Sequence, residues 1–239
     1  MAQPHPIRAA KRSELERAVD VIALAFAADP FARWVFPEAS DFLEYFRGVL
    51  REFGRPAVEH ESVYVAGDFA GAAIWLPPGV HPDDAALGGL IENGIRGPRQ
   101  KDFLAVFEQM NTSHPEEPHW YLPMIGVDPS RQSGGVGSAL MQHALARSDR
   151  DGVPAYLESS NPANISLYER QGFEVLGEIR VADSPVVTPM LRRPLLRAFL
   201  LAALLLGAAA CASISPAPVE SDEPPVGRVD PRYVADGPS

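Results

Sequence analysis

Residues Gln132, Ser133, Gly134, Gly135, Val136, Gly137 and Ser138 follow an apolar run over 120–127 and open a helical pattern over 135–150. That order requires a strand, a glycine-rich bend and a helix N-terminus in succession, which together make a site for phosphate. Several backbone N–H groups point the same way, the helix dipole adds partial positive charge, and glycine lets a ligand reach the backbone.

The ligand must be held by such local geometry, because the chain carries a net charge of −10 and a pI near 5.1. Nucleic acid is thereby disfavoured as a partner, since phosphate backbones need clustered Lys and Arg. Long-range attraction favours cationic or amine substrates instead. Cys211 is the only cysteine, which excludes an internal disulfide and a cysteine-based metal centre. The six histidines show no metal-ligand spacing, so no metal site is expected. A hydrophobic content of 46% suffices for a full core. Lys11, Arg12, Glu14, Glu16 and Arg17 interrupt any apolar secretory core at the start.

Residues 7–10 can form a first strand. Ser13 and Glu16 read as a capping box opening a helix over 13–27, with Leu15, Val19, Ile22 and Phe26 on its apolar stripe. Asp29 and Pro30 stop it. Residues 31–36 read as an aromatic connection, and 41–53 as a second helix ended by Gly54 and Pro56. A hairpin over 62–66 and 70–76 turns at Gly67 and Asp68. Two weak helices are expected over 83–93 and 98–110. The run 119–127 is apolar enough for a central strand buried on both faces. A strand over 155–158, a short helix capped by Asn161 with Pro162 at its first position, and strands over 174–181 and 186–192 complete the pattern. The fold class is α+β (mixed α/β), with a central mixed sheet and helices packed on it.

The glycine loop lacks the Lys of a Walker A loop, and Leu140 occupies the third glycine position of a dinucleotide fingerprint. A tight connection without a ligand stays open on the loop alone. A second signal comes from Asn161, Asn164 and Tyr168, whose i, i+3, i+7 spacing sets two amides and a phenol on one helix face.

At these residues the chain resembles the GNAT superfamily of acetyl-CoA-dependent N-acetyltransferases. Residues 132–137 are similar to its pyrophosphate loop, and 161–173 to its Asn…Tyr…Gly-Phe segment. The resemblance covers roughly residues 6–194. It is nearest to the puromycin N-acetyltransferase-like group at Asp29-Pro30, at Glu117 to Leu122, at Val153 to Glu158, and at Asn164 with the Leu167 to Arg170 run. The resemblance implies a mostly antiparallel sheet of six to seven strands, acetyl-CoA as co-substrate, and a small-molecule amine as acceptor attacking the thioester directly. The loop from Gln132 to Ser138 would hold the pyrophosphate, the strand edge at Ile125, Gly126 and Val127 would pair with the pantetheine arm, and Asn161 and Asn164 would bind the same arm. Tyr168 would protonate the departing thiolate, a phenol of pKa about 10 suiting that role. Glu158 and His119 are the candidate bases. A non-catalytic acyl-CoA sensor and a protein amine acetyltransferase are the alternatives. A monomer or a homodimer fits equally.

The expected organisation is an acetyltransferase domain over 1–194, an apolar segment over 195–214 and a disordered, proline- and acid-rich tail over 215–239. Residues 198–214 reach the short limit for a membrane span behind Arg192, Arg193 and Arg197, which would tether a cytoplasmic domain. Ala208 to Cys211 also resembles a lipoprotein signal, fused or joined from two reading frames.

Overall fold

The structure is a computed structural model, described here for residues 6–195. The expected apolar segment and tail lie outside the described residues. Among the described residues, no helix is long and apolar enough to cross a membrane.

The chain runs β1 (Ile7–Ala9), α1 (Leu15–Ala25), α2 (Pro30–Val35), α3 (Ala39–Asp41), α4 (Arg47–Glu59), β2 (Val63–Ala66) and β3 (Gly71–Leu76), followed by α5 (Asp84–Gly94) and α6 (Pro98–Ser113). It continues through β4 (Trp120–Val127), α7 (Val136–Asp151), β5 (Ala155–Ser159), α8 (Ile165–Glu169), β6 (Glu174–Val175) and β7 (Thr188–Arg192). The strands form one seven-stranded sheet in the order β1-β2-β3-β4-β5-β7-β6. Only β4 and β5 pair in parallel; every other neighbouring pair is antiparallel. The mixed, mostly antiparallel sheet expected from the sequence is therefore present.

Helices cover both faces, and the period-2 pleat distributes the strand residues between them. Val63, Val65, Ala72, Ile74 and Leu76 join Val19, Ile22, Phe46 and Leu50 in one core. Tyr64, Ala66, Ala73 and Trp75 point the other way and join Leu140, Met141 and Leu145 of α7. This is why β2 and β3 are wholly buried and carry no polar alternation.

Several local expectations are corrected. The first helix opens on a 3-10 turn over Arg12–Glu14, and Glu14, not Glu16, reaches back to accept the Lys11 N–H at 2.8 Å. Arg8 grips the same carboxylate through two 2.8 Å hydrogen bonds, while Glu16 is turned to Arg51 instead. Residues 30–35 are a helix, because Asp29 both ends the preceding turn and caps the next, accepting from the N–H groups of Phe31 and Ala32. Helix α4 continues through Gly54 and Pro56 to Glu59, with a π turn over Phe42–Phe46 ahead of it. Packing of its apolar face against the sheet outweighs the hydrogen bond lost at Pro56. The strand expected over 174–181 shrinks to β6 and an isolated Ile179–Val187 bridge.

Strand β4 corrects the expectation of burial on both faces, since Tyr121 and residues 123–125 are only partly buried. One extra residue on β4 between Tyr121 and Met124 breaks the register with β3. Pro123, with no N–H to donate, stands in that bulge. Pairing with β5 ends at Leu122–Leu157, while β4 runs on to Val127 and β5 to Ser159. The two parallel strands thus part in the middle of the sheet.

Candidate active site

The glycine loop leaves β4 through Asp128, whose carboxylate accepts from the N–H and the hydroxyl of Ser130 at 2.8 and 2.7 Å. Gln132 Nε2 donates back to the Val127 carbonyl at 3.3 Å. Ser133 then adopts φ 62°, a left-handed conformation that costs a side-chain-bearing residue about 1–2 kcal/mol. Gly135 follows at φ +84° with open space around its α-carbon. It sits at the N-cap of α7, and no side chain caps that helix. The N–H groups of residues 132–138 have no partner among the described residues. A strained bend, an uncapped 16-residue helix and a fan of free donors fit a pyrophosphate group. Gly137 has a different role: a Cβ there would stand 3.5 Å from Leu167 of α8, an ordinary contact.

The gap between β4 and β5 opens into a cavity of about 160 Å³. Its wall is aromatic, with Phe26, Phe31, Phe36, Phe46, Phe53, Phe103, Phe107 and Tyr121. Stacked and tilted ring pairs such as Phe31–Trp34 at 5.7 Å and Phe36–Tyr45 at 6.4 Å hold that wall in place. The titratable lining groups are Asp29, Glu158, Tyr121 and Tyr168; no Lys or Arg is among them.

Tyr168 is buried and lines the cavity beside Asn164. Burial, with the charge of Asp29 added, raises its pKa and keeps the phenol protonated through the physiological range. Asn161 stands apart from this wall, its Oδ1 accepting from the Ala163 N–H at 3.0 Å as a cap. A 3-10 turn over Pro162–Asn164 precedes α8, so the three residues do not share one continuous helical face. Ile125 lines the cavity. Gly126 is buried under α1, where a Cβ would meet Ala25 Cβ and Ile22 Cα at 2.8 Å. Its lack of a side chain serves helix packing while the β4 edge stays open toward the gap.

Glu158 also lines the cavity, and its side chain is only 2% exposed. His114 Nε2 approaches its Oε1 to 3.0 Å, but off-axis, so that oxygen has no aligned hydrogen-bond partner. His119 lies outside the cavity, in a second pocket of about 310 Å³ that His114 and Tyr121 share. The two candidate bases are therefore not adjacent; His114 stands between them.

Three site residues escape the sequence reading. Asp29 is 6% exposed, and burial raises its pKa despite three hydrogen bonds to it. Ser160 donates one of them, at 2.8 Å, from the end of β5. His114 is the third. Asp-Pro as cap and first helical residue was available as a signal for Asp29. Nothing local marks the other two.

Comparison with known proteins agrees with this geometry. The family described as Acetyltransferase (GNAT) matches residues 94–173. An uncharacterized N-acetyltransferase of Schizosaccharomyces pombe is 31% identical over 123 residues, 46% of this chain and 50% of the relative. A mycothiol acetyltransferase of Brachybacterium faecium is 44% identical over 57 residues, 23% of this chain and 17% of its own. The chain thus spans about half the length of the first of these relatives, and less of the second. A Corynebacterium glutamicum structure, described as histone acetyltransferase HPA2 and related acetyltransferase, superposes with a TM-score of 0.58 at 27% identity, covering 82% of this chain and 99% of that one. Residues 94–173 thus match the GNAT acetyltransferase family, on a fold shared with a solved acetyltransferase structure.

Proposed function

We propose that this domain transfers the acetyl group of acetyl-CoA to the primary amine of a small molecule with an apolar body. The observation that carries this reading is the aromatic-lined cavity at the β4–β5 gap, with Tyr168 and Glu158 both on its wall. An engineered cavity of about 150 Å³ holds benzene. At about 160 Å³, this one suits a single aryl ring or a short alkyl chain. The aromatic lining favours a small acceptor with an apolar body. Asp29 and Glu158, with no lining cation, favour an ammonium head group over an acid.

Acetyl-CoA supplies an activated thioester. The free N–H groups of 132–138 would hold its pyrophosphate, and the open edge of β4 would pair with its pantetheine arm. Asn164 faces the same space. Glu158 takes a proton from the amine, and its weakly partnered Oε1 suits that task. Tyr168 gives its phenolic proton to the departing thiolate. The named activity of the mycothiol acetyltransferases, which match over a short stretch, is consistent with a small amine acceptor.

The test is release of free thiol from acetyl-CoA across a panel of arylalkyl, alkyl, aminonucleoside and polyamine acceptors. Turnover is expected with apolar primary amines above polyamines. Tight acetyl-CoA binding without turnover on any amine would instead identify an acyl-CoA sensor.

A further inference from the structure

Acetylation of an ammonium substrate releases one proton per turnover to solvent. The cavity that receives the amine is apolar, and Glu158 is nearly sealed within it. A route out is therefore required, and the contacts leading outward from Glu158 through His114 and His119 describe one.

His114 ends α6 immediately before Pro115, which forces it into extended geometry at ψ 137°. Its ring is wedged against Tyr156 and Tyr121, with centroids 4.5 and 4.7 Å away. From there, Nε2 reaches Glu158 Oε1 at 3.0 Å and Nδ1 reaches His119 Nε2 at 3.3 Å. His119 Nδ1 lies 2.9 Å from the Glu117 carbonyl oxygen. A carbonyl only accepts, so His119 Nδ1 carries the hydrogen, and the Nε2 of neutral His119 is an acceptor. His114 Nδ1 must then donate to it. This leaves a bare His114 Nε2 facing a carboxylate oxygen at 3.0 Å, with no aligned hydrogen bond between them until Glu158 takes up a proton.

We propose that His114 and His119 are positioning residues for Glu158, forming a proton relay from the buried amine site to the solvent-open second pocket. This inference rests on the acetyltransferase reading above. The amine N–H bond breaks and a Glu158 O–H bond forms. His114 passes its Nδ1 hydrogen to His119 Nε2 and takes the Glu158 proton at its own Nε2. His119, now an imidazolium, loses one proton to water. The relay resets when the His114 ring, 28% exposed, loses its Nε2 hydrogen to water and gains one at Nδ1 from water, with no net change in protons. The titratable groups facing the two rings are His81, Glu116 and Glu117 around the outer pocket, and Tyr121, Tyr156 and Glu158 on the inner side. Glu117 is paired with Arg193. Burial lowers the pKa of His119, which speeds its return to the neutral form.

The experiment uses the full chain with acetyl-CoA and 2-phenylethylamine as probe amine. His119→Ala and His114→Ala are expected to lower kcat about tenfold or more, with unchanged KM for acetyl-CoA. Added imidazole, entering the outer pocket, should restore kcat in proportion to its neutral fraction, whereas a purely structural defect would not respond. Wild-type kcat and pH profile in both variants would overturn the relay. Nitrogen-15 spectra of the histidines provide a readout independent of turnover. They are expected to show His119 as the Nδ1–H tautomer and His114 nitrogen signals that change position in Glu158→Gln. A His119 Nε2–H tautomer would overturn the relay whatever the activity. Absence of wild-type turnover on every amine, with the expected tautomers in place, would instead count against the proposed function.

Discussion

Ser160 Oγ donates a hydrogen bond to Asp29 Oδ2 at 2.8 Å, joining the end of β5 to the start of α2 across 131 positions of sequence. One carboxylate thereby caps a helix, ties that helix to the sheet and faces the amine cavity. The cap needs only the acceptor Oδ1, and the Ser160 hydroxyl, which donates to Oδ2, can equally accept from an amide; the third task needs the charge.

Asp29→Asn separates them. The amide oxygen can still cap α2, so the domain should fold, while the KM for the amine rises about tenfold as one negative charge leaves the cavity. The sign of the pH effect is fixed by burial, which raises the pKa of Asp29. The folded state holds that proton more tightly than the unfolded chain does. Its contribution to stability is therefore present below about pH 4 and is lost as pH rises through the shifted value. Thermal unfolding of Asp29→Asn measured from pH 4 to 7 should lack this decline.

Tyr168→Phe removes the phenolic hydroxyl and keeps the ring. Its kcat is expected to fall at least about a hundredfold, with acetyl-CoA affinity by calorimetry changed by less than about threefold. Lost affinity with normal turnover would assign Tyr168 to binding.

The loop glycines should respond differently. At Gly135, φ +84° disfavours any side chain, and a carboxylate would repel phosphate at the helix start. Gly135→Glu is expected to abolish acetyl-CoA binding. Gly137→Ala meets only an ordinary contact with Leu167 and should retain it. Equal binding by both variants would refute the cradle.

Gly126→Ala tests packing. The added methyl would press on Ile22 and Ala25 of α1 at 2.8 Å. A loss of about 1–3 kcal/mol in chemical denaturation is expected.

Much of this fold is legible because α1 and α7 carry apolar residues at helical spacing, and β2 and β3 are short apolar runs bounded by turn residues. The loop and Tyr168 were legible because glycine spacing and a phenol on a polar helix are local signals. The course of residues 30–59 was not, since Pro30 and Pro56 act as breakers in isolation, and only the packing of Phe42, Phe46 and Leu50 sustains the helix there. His114 was invisible for another reason. Its link to Glu158 spans 44 positions and exists only once α6, β4 and β5 are assembled. Reading Glu158 and His119 as rival bases named both ends of one chain of contacts and missed its middle.

The central claim is acetyl transfer at the β4–β5 gap with Glu158 as base, and Glu158→Gln tests it most directly. Glutamine keeps the size and cannot accept the amine proton. With acetyl-CoA and 2-phenylethylamine, kcat should fall at least about a hundredfold at pH 7, recover partly as pH rises and free amine accumulates, and leave acetyl-CoA affinity intact. Wild-type kcat in Glu158→Gln across that pH range would contradict the account.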